Sequence, residues 1–174
     1  MNNLQLKEGN LTFDFVGFSK AEKFDDDSKN AYGLFPVDFI AENTEHIYFI
    51  EVKDFQHPKA TKERKALDYE MLVGKNVDGN SLFAIKMGGK IKDSILRIYA
   101  MGDKFTKEVV YLLLINLDNF GTRERGQLKE RIRGHVPTGL NEDRFCEFSR
   151  ISFDLVNIDM LKSHGIVCSV NTAK

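Results

Sequence analysis

Two carboxylates and a lysine between Phe35 and Lys53 are the side chains in this sequence best suited to chemistry. Asp38 lies early in one apolar run, and Glu51 and Lys53 close the next run. Two converging carboxylates can hold Mg²⁺ or Mn²⁺, hard cations that prefer oxygen ligands. A neighbouring ammonium can orient an attacking water or stabilise developing negative charge. These residue types predict metal-dependent hydrolysis of a phosphodiester.

A β-hairpin would bring the three side chains to one face. The polar segment Asn43–His46 separates the two apolar runs and is typical of a turn. If the turn is centred between residues 44 and 45, Asp38 lies directly opposite Glu51. Lys53 joins them because strand side chains alternate with a period of two. The other face then carries only apolar residues, namely Phe39, Ala41, Tyr48, Ile50 and Val52.

At these residues the hairpin resembles the PD-(D/E)XK nuclease superfamily, which includes restriction endonucleases, archaeal Holliday-junction resolvases and RecB-type nuclease domains. The resemblance implies that Asp38 and Glu51 are the metal ligands for Mg²⁺ or Mn²⁺ and that the backbone carbonyl of Val52 completes the metal shell. It also implies that Lys53 is the catalytic base or a charge stabiliser. One departure is Val37, which separates Pro36 from Asp38, so the literal Pro-Asp pair is absent.

The acid-x-lysine triplet is not specific by itself, because the sequence contains it at residues 27–29, 51–53 and 63–65. Only the middle triplet ends a β-branched and aromatic run that follows a second run with an acid at mirror-image spacing. The alternative interpretation is an amphipathic hairpin whose polar face ends in a salt-bridged cluster. A related alternative for the whole chain is a catalytically inactive nuclease-fold module that binds nucleic acid or a protein partner.

Length and composition predict one domain over residues 1–174, because 42% hydrophobic content with 14 Phe is ample for one core, and the resemblance implies that this domain is nuclease-like. The net charge of −1 gives no overall basic field, although it leaves room for a local basic groove. Cys146 and Cys168 have neither zinc-site spacing nor the density of a disulfide scaffold, so we expect both to pack in the core. No signal peptide or membrane span is evident, which predicts a cytoplasmic protein with no membrane partner.

The remaining pattern predicts an α/β (α+β) fold with a mixed central β-sheet flanked by helices, and the resemblance implies a restriction-endonuclease-like core. Before the hairpin, either Leu4–Lys7 and Leu11–Phe15 pair as strands, or residues 11–21 form a helix followed by a strand over residues 22–27. Further elements are expected after the hairpin: a helix from Thr61 to Lys75, a break at residues 78–80, a helix from Ser81 to Met101, a buried strand over residues 108–117, a helix from Thr122 to Arg133, a strand over residues 151–156, and a short terminal helix that ends at His164.

Two basic clusters are candidates for phosphate contacts. Lys59, Lys62, Arg64 and Lys65 follow the hairpin directly, and five more cations crowd residues 123–133. Because phosphate contacts dominate nucleic-acid affinity, we predict that the first cluster binds nucleic acid, with DNA favoured and RNA left open. The alternative is a solvated helix face with internal ion pairs. Homodimer formation is left open.

Overall fold

The structure, a computed structural model, describes residues 4–25, 33–138 and 150–171. Asp26, Asp27 and Cys146 therefore lie outside the described residues. The elements in chain order are β1 (Leu4–Glu8), β2 (Leu11–Phe15), β3 (Lys20–Lys23), β4 (Phe39–Glu42), β5 (His46–Asp54), α1 (Lys62–Leu72), α2 (Val77–Ala100), β6 (Glu108–Asn116), α3 (Thr122–Arg133), β7 (Ile151–Val156), a 3₁₀ helix (Asp159–His164) and β8 (Ile166–Val170).

The described residues form two β-sheets and a layer of helices, an α+β architecture. The larger sheet is mixed, with five strands in the order β3-β4-β5-β6-β7. Its first three strands are antiparallel neighbours, and β5, β6 and β7 run parallel to one another. Helices α1 and α2 connect β5 to β6, and α3 connects β6 to β7. The smaller antiparallel sheet has the order β1-β2-β8.

Strand β6 shows why the larger sheet is apolar on both faces. Val109, Tyr111, Leu113 and Ile115 pack with the helices, whereas Val110, Leu112 and Leu114 pack with the smaller sheet. A strand covered on both sides needs apolar side chains at successive positions, so the prediction of a buried central strand is confirmed. The sequence pattern predicted a sheet flanked by helices. In the structure, helices cover one face of the sheet and the β1-β2-β8 sheet covers the other.

The N-terminal segment forms the predicted hairpin of β1 and β2, which turns at Gly9 with φ of 55°. The alternative helix over residues 11–21 is wrong. Leu11, Phe13 and Phe15 are buried at alternate positions, and the ring of Phe13 lies 5.2 Å from that of Phe39 on β4. An alternation of two carries all three side chains to one core, which a helix would not do.

Asn80 links the helices instead of breaking the chain. The predicted break at residues 78–80 is wrong, because Asn76 caps α2 by accepting the backbone N–H of Gly79 at 2.9 Å. The buried Asn80 side chain donates to the backbone carbonyl groups of Met71 and Leu72 at 2.7 and 3.1 Å. These are orphan acceptors at the end of α1, so the polar residue stabilises the α1–α2 junction.

Gly88 allows α2 to pack closely against the segment after α3. A Cβ on Gly88 would lie 2.3 Å from the Cβ of His135 and 2.8 Å from its carbonyl oxygen. The glycine therefore meets a packing requirement, and α2 runs through it without a break. The predicted limits of α3, Thr122 and Arg133, agree with the structure.

The C-terminal part contains a strand that the sequence pattern did not predict. After the expected strand β7 and a 3₁₀ helix in place of the expected terminal helix, β8 pairs antiparallel with β2. Cys168 of β8 is buried against β2, as expected for a core cysteine. Among the described residues, no helix is both long enough and apolar enough to span a membrane.

Candidate metal and catalytic site

The β4–β5 hairpin has the register that its sequence predicts. Phe39 pairs with Ile50, which places Asp38, the residue before β4, opposite Glu51. The Asn43 side chain closes the turn, since its Oδ1 accepts the backbone N–H groups of residues 45 and 46 at 3.0 and 2.8 Å. The turn therefore lies where the sequence puts it, and the two acids come from adjacent strands at one end of the hairpin.

The two carboxylates lie beneath the helical layer. Asp38 is 5% exposed and Glu51 is 0% exposed, whereas the Lys53 side chain is 29% exposed and its Nζ lies 2.5 Å from Glu51 Oε1. The five apolar residues of the opposite face all pack in the core between the sheets, as predicted. Burial of charge is costly without compensation, so the groups around these acids decide their chemistry.

Helix α2 supplies a second cation that sequence reasoning did not identify. Lys90 Nζ lies 3.2 Å from Glu51 Oε1 and donates to the Pro36 carbonyl at 3.0 Å. On the same helix, Ser94 Oγ and Asp93 Oδ2 accept the backbone N–H groups of residues 37 and 35, each at 2.9 Å. Three α2 residues thus hold the segment before Asp38. Their spacing of three and four positions along a helix was the available signal, but it does not reveal which strand they contact.

The surroundings of Asp38 raise the pKa of its carboxyl. Burial, followed by repulsion from Glu51, raises its pKa from 3.8 to about 7, against the lowering effects of Lys53, the Val52 N–H and Lys90. The Val52 N–H donates to Asp38 Oδ2 at 2.6 Å. The carboxyl therefore keeps its proton to a higher pH than an exposed Asp does, and a cation that binds there must compete with a proton.

Lys53 remains protonated at neutral pH. Its burial acts to lower the pKa, but attraction to Glu51, the hydrogen bond with Glu51 and attraction to Asp38 outweigh burial, so the pKa is raised. An ammonium of this kind can stabilise negative charge, whereas a general base would need the opposite shift. Of the two roles that the resemblance implies for Lys53, the electrostatics favour the stabiliser.

The donor set fits a hard divalent cation. Glu51 Oε2 is buried and has no hydrogen-bond partner among the described residues, and Asp38 and Glu51 repel each other. A cation between the two carboxylates would give Glu51 Oε2 a partner and would relieve the repulsion between Asp38 and Glu51. Within the described part of the chain, no group of three or more His, Cys, Asp or Glu side chains is placed to hold a metal. The protein would thus contribute two carboxylates, with the Val52 carbonyl as the third ligand that the resemblance implies.

The predicted phosphate-binding residues lie at the start of α1. Lys59, Lys62 and Arg64 are exposed, and the half-buried Lys65 donates to Gln56 Oε1 at 2.9 Å. Lys62, Lys65 and Gln56 line a cavity of about 430 Å³. Arg64 also pairs with the buried Asp68 at 3.1 Å, so its charge is partly engaged within the protein.

The second basic cluster, on α3, is more occupied with the protein itself. Lys129 pairs with Asp154 at 2.8 Å, Arg131 donates to Asn80 Oδ1, and Arg133 lies 3.8 Å from Glu130. Arg125 bonds to groups at the start of its own helix. These contacts agree with the alternative of a helix face with internal partners, and they leave the α1 cluster as the better candidate for phosphate contacts.

Comparison of the chain with protein-family models, with curated proteins and with solved structures finds no significant match. The site is therefore interpreted from its own residues: two buried acids in register, two ammonium groups on one carboxylate oxygen, and a second oxygen of that carboxylate that has no hydrogen-bond partner in the described part of the chain.

Proposed function

We propose that this chain is a divalent-metal-dependent nuclease of the PD-(D/E)XK type that hydrolyses phosphodiester bonds in nucleic acid, with DNA as the favoured substrate. The observation that carries the proposal is the register of the hairpin, which sets Asp38 opposite Glu51 and puts Lys53 beside Glu51. The same proposal places the activity in the cytoplasm, where the protein contacts nucleic acid and no membrane.

The sheet order supports this proposal. In the superfamily, a hairpin with the two acids is followed by a helical crossover and a further strand of the same sheet. Here β4 and β5 form the hairpin, α1 and α2 form the crossover, and β6 pairs parallel to β5. In the superfamily a helix and a strand also precede the hairpin. Here β3 is a strand that precedes the hairpin in the sheet, whereas β1 and β2 form a hairpin where the helix would lie.

Each residue has a distinct part in the proposed reaction. Asp38 and Glu51 would hold Mg²⁺ or Mn²⁺, and Asp38 would have to be ionised to do so. Lewis-acid activation of the phosphoryl group and of water is the chemistry that such an ion supplies. Lys53, held as an ammonium by Glu51, stabilises the negative charge that develops on the phosphoryl oxygens. Lys59, Lys62, Arg64 and Lys65 contact flanking phosphates.

A panel of nucleic acids tests the proposal. Purified protein is incubated with linear, circular and branched DNA, and with RNA, in Mn²⁺. We expect cleavage by the wild type, loss of cleavage in Asp38→Ala, and full cleavage by the matched variant Asp103→Ala, which removes an exposed acid. If the wild type and Asp38→Ala give the same background cleavage on every substrate, the protein is not a nuclease of this kind.

A second candidate function is that of an inactive nuclease-fold module that binds nucleic acid or a protein partner. The arrangement at Glu51 favours it, because two ammonium groups on Oε1 compensate the carboxylate without a metal. Binding of DNA in Ca²⁺ without cleavage in Mn²⁺ or Mg²⁺ would support binding of nucleic acid. An absence of both DNA binding and cleavage would favour a protein partner. The oligomeric state of the same purified protein would show whether the chain is a homodimer.

A further inference from the structure

A cavity of about 610 Å³ opens beside the candidate metal site. Its volume falls within the range of about 300–1,000 Å³ that is typical of small-molecule and cofactor sites. Its lining includes Lys53 and Lys90, the two side chains that contact Glu51. Any group held in the cavity would therefore be adjacent to the proposed reaction centre.

Part of the cavity wall is apolar and open to solvent. Phe35 is 69% exposed and Ile85 is 53% exposed, and Met87 completes this wall. The backbone N–H of Phe35 donates to Asp93 Oδ2 at 2.9 Å, so the chain at the ring is attached to α2. An exposed aromatic ring on an anchored backbone offers a flat surface on which another ring can stack.

The charge of the cavity selects an anionic ligand. Three lysines line it, namely Lys53, Lys86 and Lys90. The carboxylates against them are that of Asp93 in the lining and that of Glu51, which Lys53 and Lys90 share, so positive charge is in excess among these groups. Lys86 is exposed and makes no ion pair within the described part of the chain. A ligand that matches both the exposed ring and the lysines of this lining has a flat aromatic group and a phosphate, which is the composition of a nucleotide.

We propose that this cavity binds one unpaired nucleotide of the substrate, with its base on Phe35 and its phosphate at Lys86 and Lys90. The inference rests on the proposed nuclease function and narrows its substrate class to nucleic acid that presents an unpaired nucleotide. A base within a duplex is stacked on its neighbours, whereas a base in a single strand or a frayed end has a free ring face. The enzyme therefore prefers single-stranded segments and ends over blunt duplex.

Fluorescence anisotropy in Ca²⁺ tests the subsite with a short labelled oligothymidine and with the same strand annealed into a blunt duplex. We expect tighter binding of the single strand by the wild type and a loss of about 5- to 150-fold in Phe35→Ala, the range that base–aromatic stacking spans. Phe35→Trp should restore the affinity. Leu96→Ala, which removes an equally exposed apolar side chain of α2 outside the cavity lining, should bind like the wild type.

A second variant fills the cavity instead of removing its ring. A Cβ on Gly89 would meet no atom within 4 Å, so Gly89→Leu should fold and should occlude the single strand from the cavity. If Phe35→Ala and Gly89→Leu both bind the oligothymidine as tightly as the wild type, the subsite is refuted. Equal losses in Leu96→Ala would refute it as well, because the effect would then not depend on the cavity.

Cleavage assays in Mn²⁺ on the same oligonucleotides separate the subsite from the proposed function. Cleavage that Asp38→Ala abolishes, together with single-strand affinity that Phe35→Ala leaves unchanged, would overturn the subsite and support the nuclease. Single-strand binding that depends on Phe35, without any cleavage, would support the subsite and overturn the nuclease. A wild type that binds neither probe would overturn both.

Discussion

Replacement of Asp38 by Asn tests whether burial and Glu51 determine the ionisation of this site. Asn has the shape of Asp and can still accept the Val52 N–H, but it cannot ionise. The pKa of Asp38 is about 7 in the folded protein against an ordinary value of 3.8. The folded state therefore binds the Asp38 proton more tightly than the unfolded state does. The stability that this proton provides is complete below about pH 4 and is lost as the pH rises to about 7.

The magnitude follows from the two pKa values. At about 1.4 kcal/mol per pH unit, the full difference between 3.8 and about 7 is worth about 4 kcal/mol. Between about pH 5 and about pH 8, linkage gives a loss of about 2.5 kcal/mol in the wild type that Asp38→Asn does not share. Asp38→Asn should therefore gain about 2.5 kcal/mol relative to the wild type over this interval, in the absence of divalent cations.

Urea denaturation at the two pH values, in the presence of a chelator, measures this difference. With a slope of about 2 kcal/mol per molar urea, the midpoint of Asp38→Asn should rise by about 1 M relative to the wild type between the acid and the alkaline sample. Asp103→Asn, at an exposed acid, is the matched control and should follow the wild type. Parallel pH profiles of the wild type and Asp38→Asn would refute the argument from burial and like-charge repulsion.

Addition of Mn²⁺ should offset the advantage of Asp38→Asn at alkaline pH. A ligand that binds only the folded state at a hundredfold excess over its Kd stabilises it by about 2.7 kcal/mol. We expect this gain in the wild type, increasing with pH as Asp38 loses its proton, and we expect little gain in Asp38→Asn. Equal stabilisation of both proteins would mean that the cation binds elsewhere.

Two further predictions concern the basic cluster and the helix packing. Lys59→Glu combined with Lys62→Glu should weaken DNA binding and reduce the slope of log K against log salt by about 0.9 for each phosphate that the variant no longer neutralises; an unchanged slope in a salt titration would exclude a phosphate-binding role for these lysines. Gly88→Ala should destabilise the protein by about 1–3 kcal/mol because its Cβ would collide with His135. Gly89→Ala, with open space at its Cβ, should instead stabilise α2 by about 0.5–1 kcal/mol. Thermal unfolding of the two variants measures both changes in stability. If both variants were destabilised or both were stabilised, packing at Gly88 would not be the cause.

The local sequence was sufficient to predict the hairpin and the acids that it aligns. Asn43 closes a turn of known position, and the strand period of two then puts Asp38 opposite Glu51 without reference to the rest of the chain. The same holds for β6, whose continuous apolar run requires cover on both faces, and for α3, whose limits are marked by local signals. Interactions between near neighbours are readable because their geometry repeats.

The three-dimensional structure decided the environment of those acids. The predicted break at residues 78–80 was wrong, and the Asn80 side chain has partners in α1 and α3 that its own sequence neighbours do not reveal. The sequence pattern also did not show that Lys90 would contact Glu51, or that helices would bury both carboxylates. The pKa of Asp38 depends on desolvation and on charges brought from distant positions. Side-chain alternation is a property of a strand, whereas burial is a property of the whole packed chain, and only packing determines how far the pKa of Asp38 is raised.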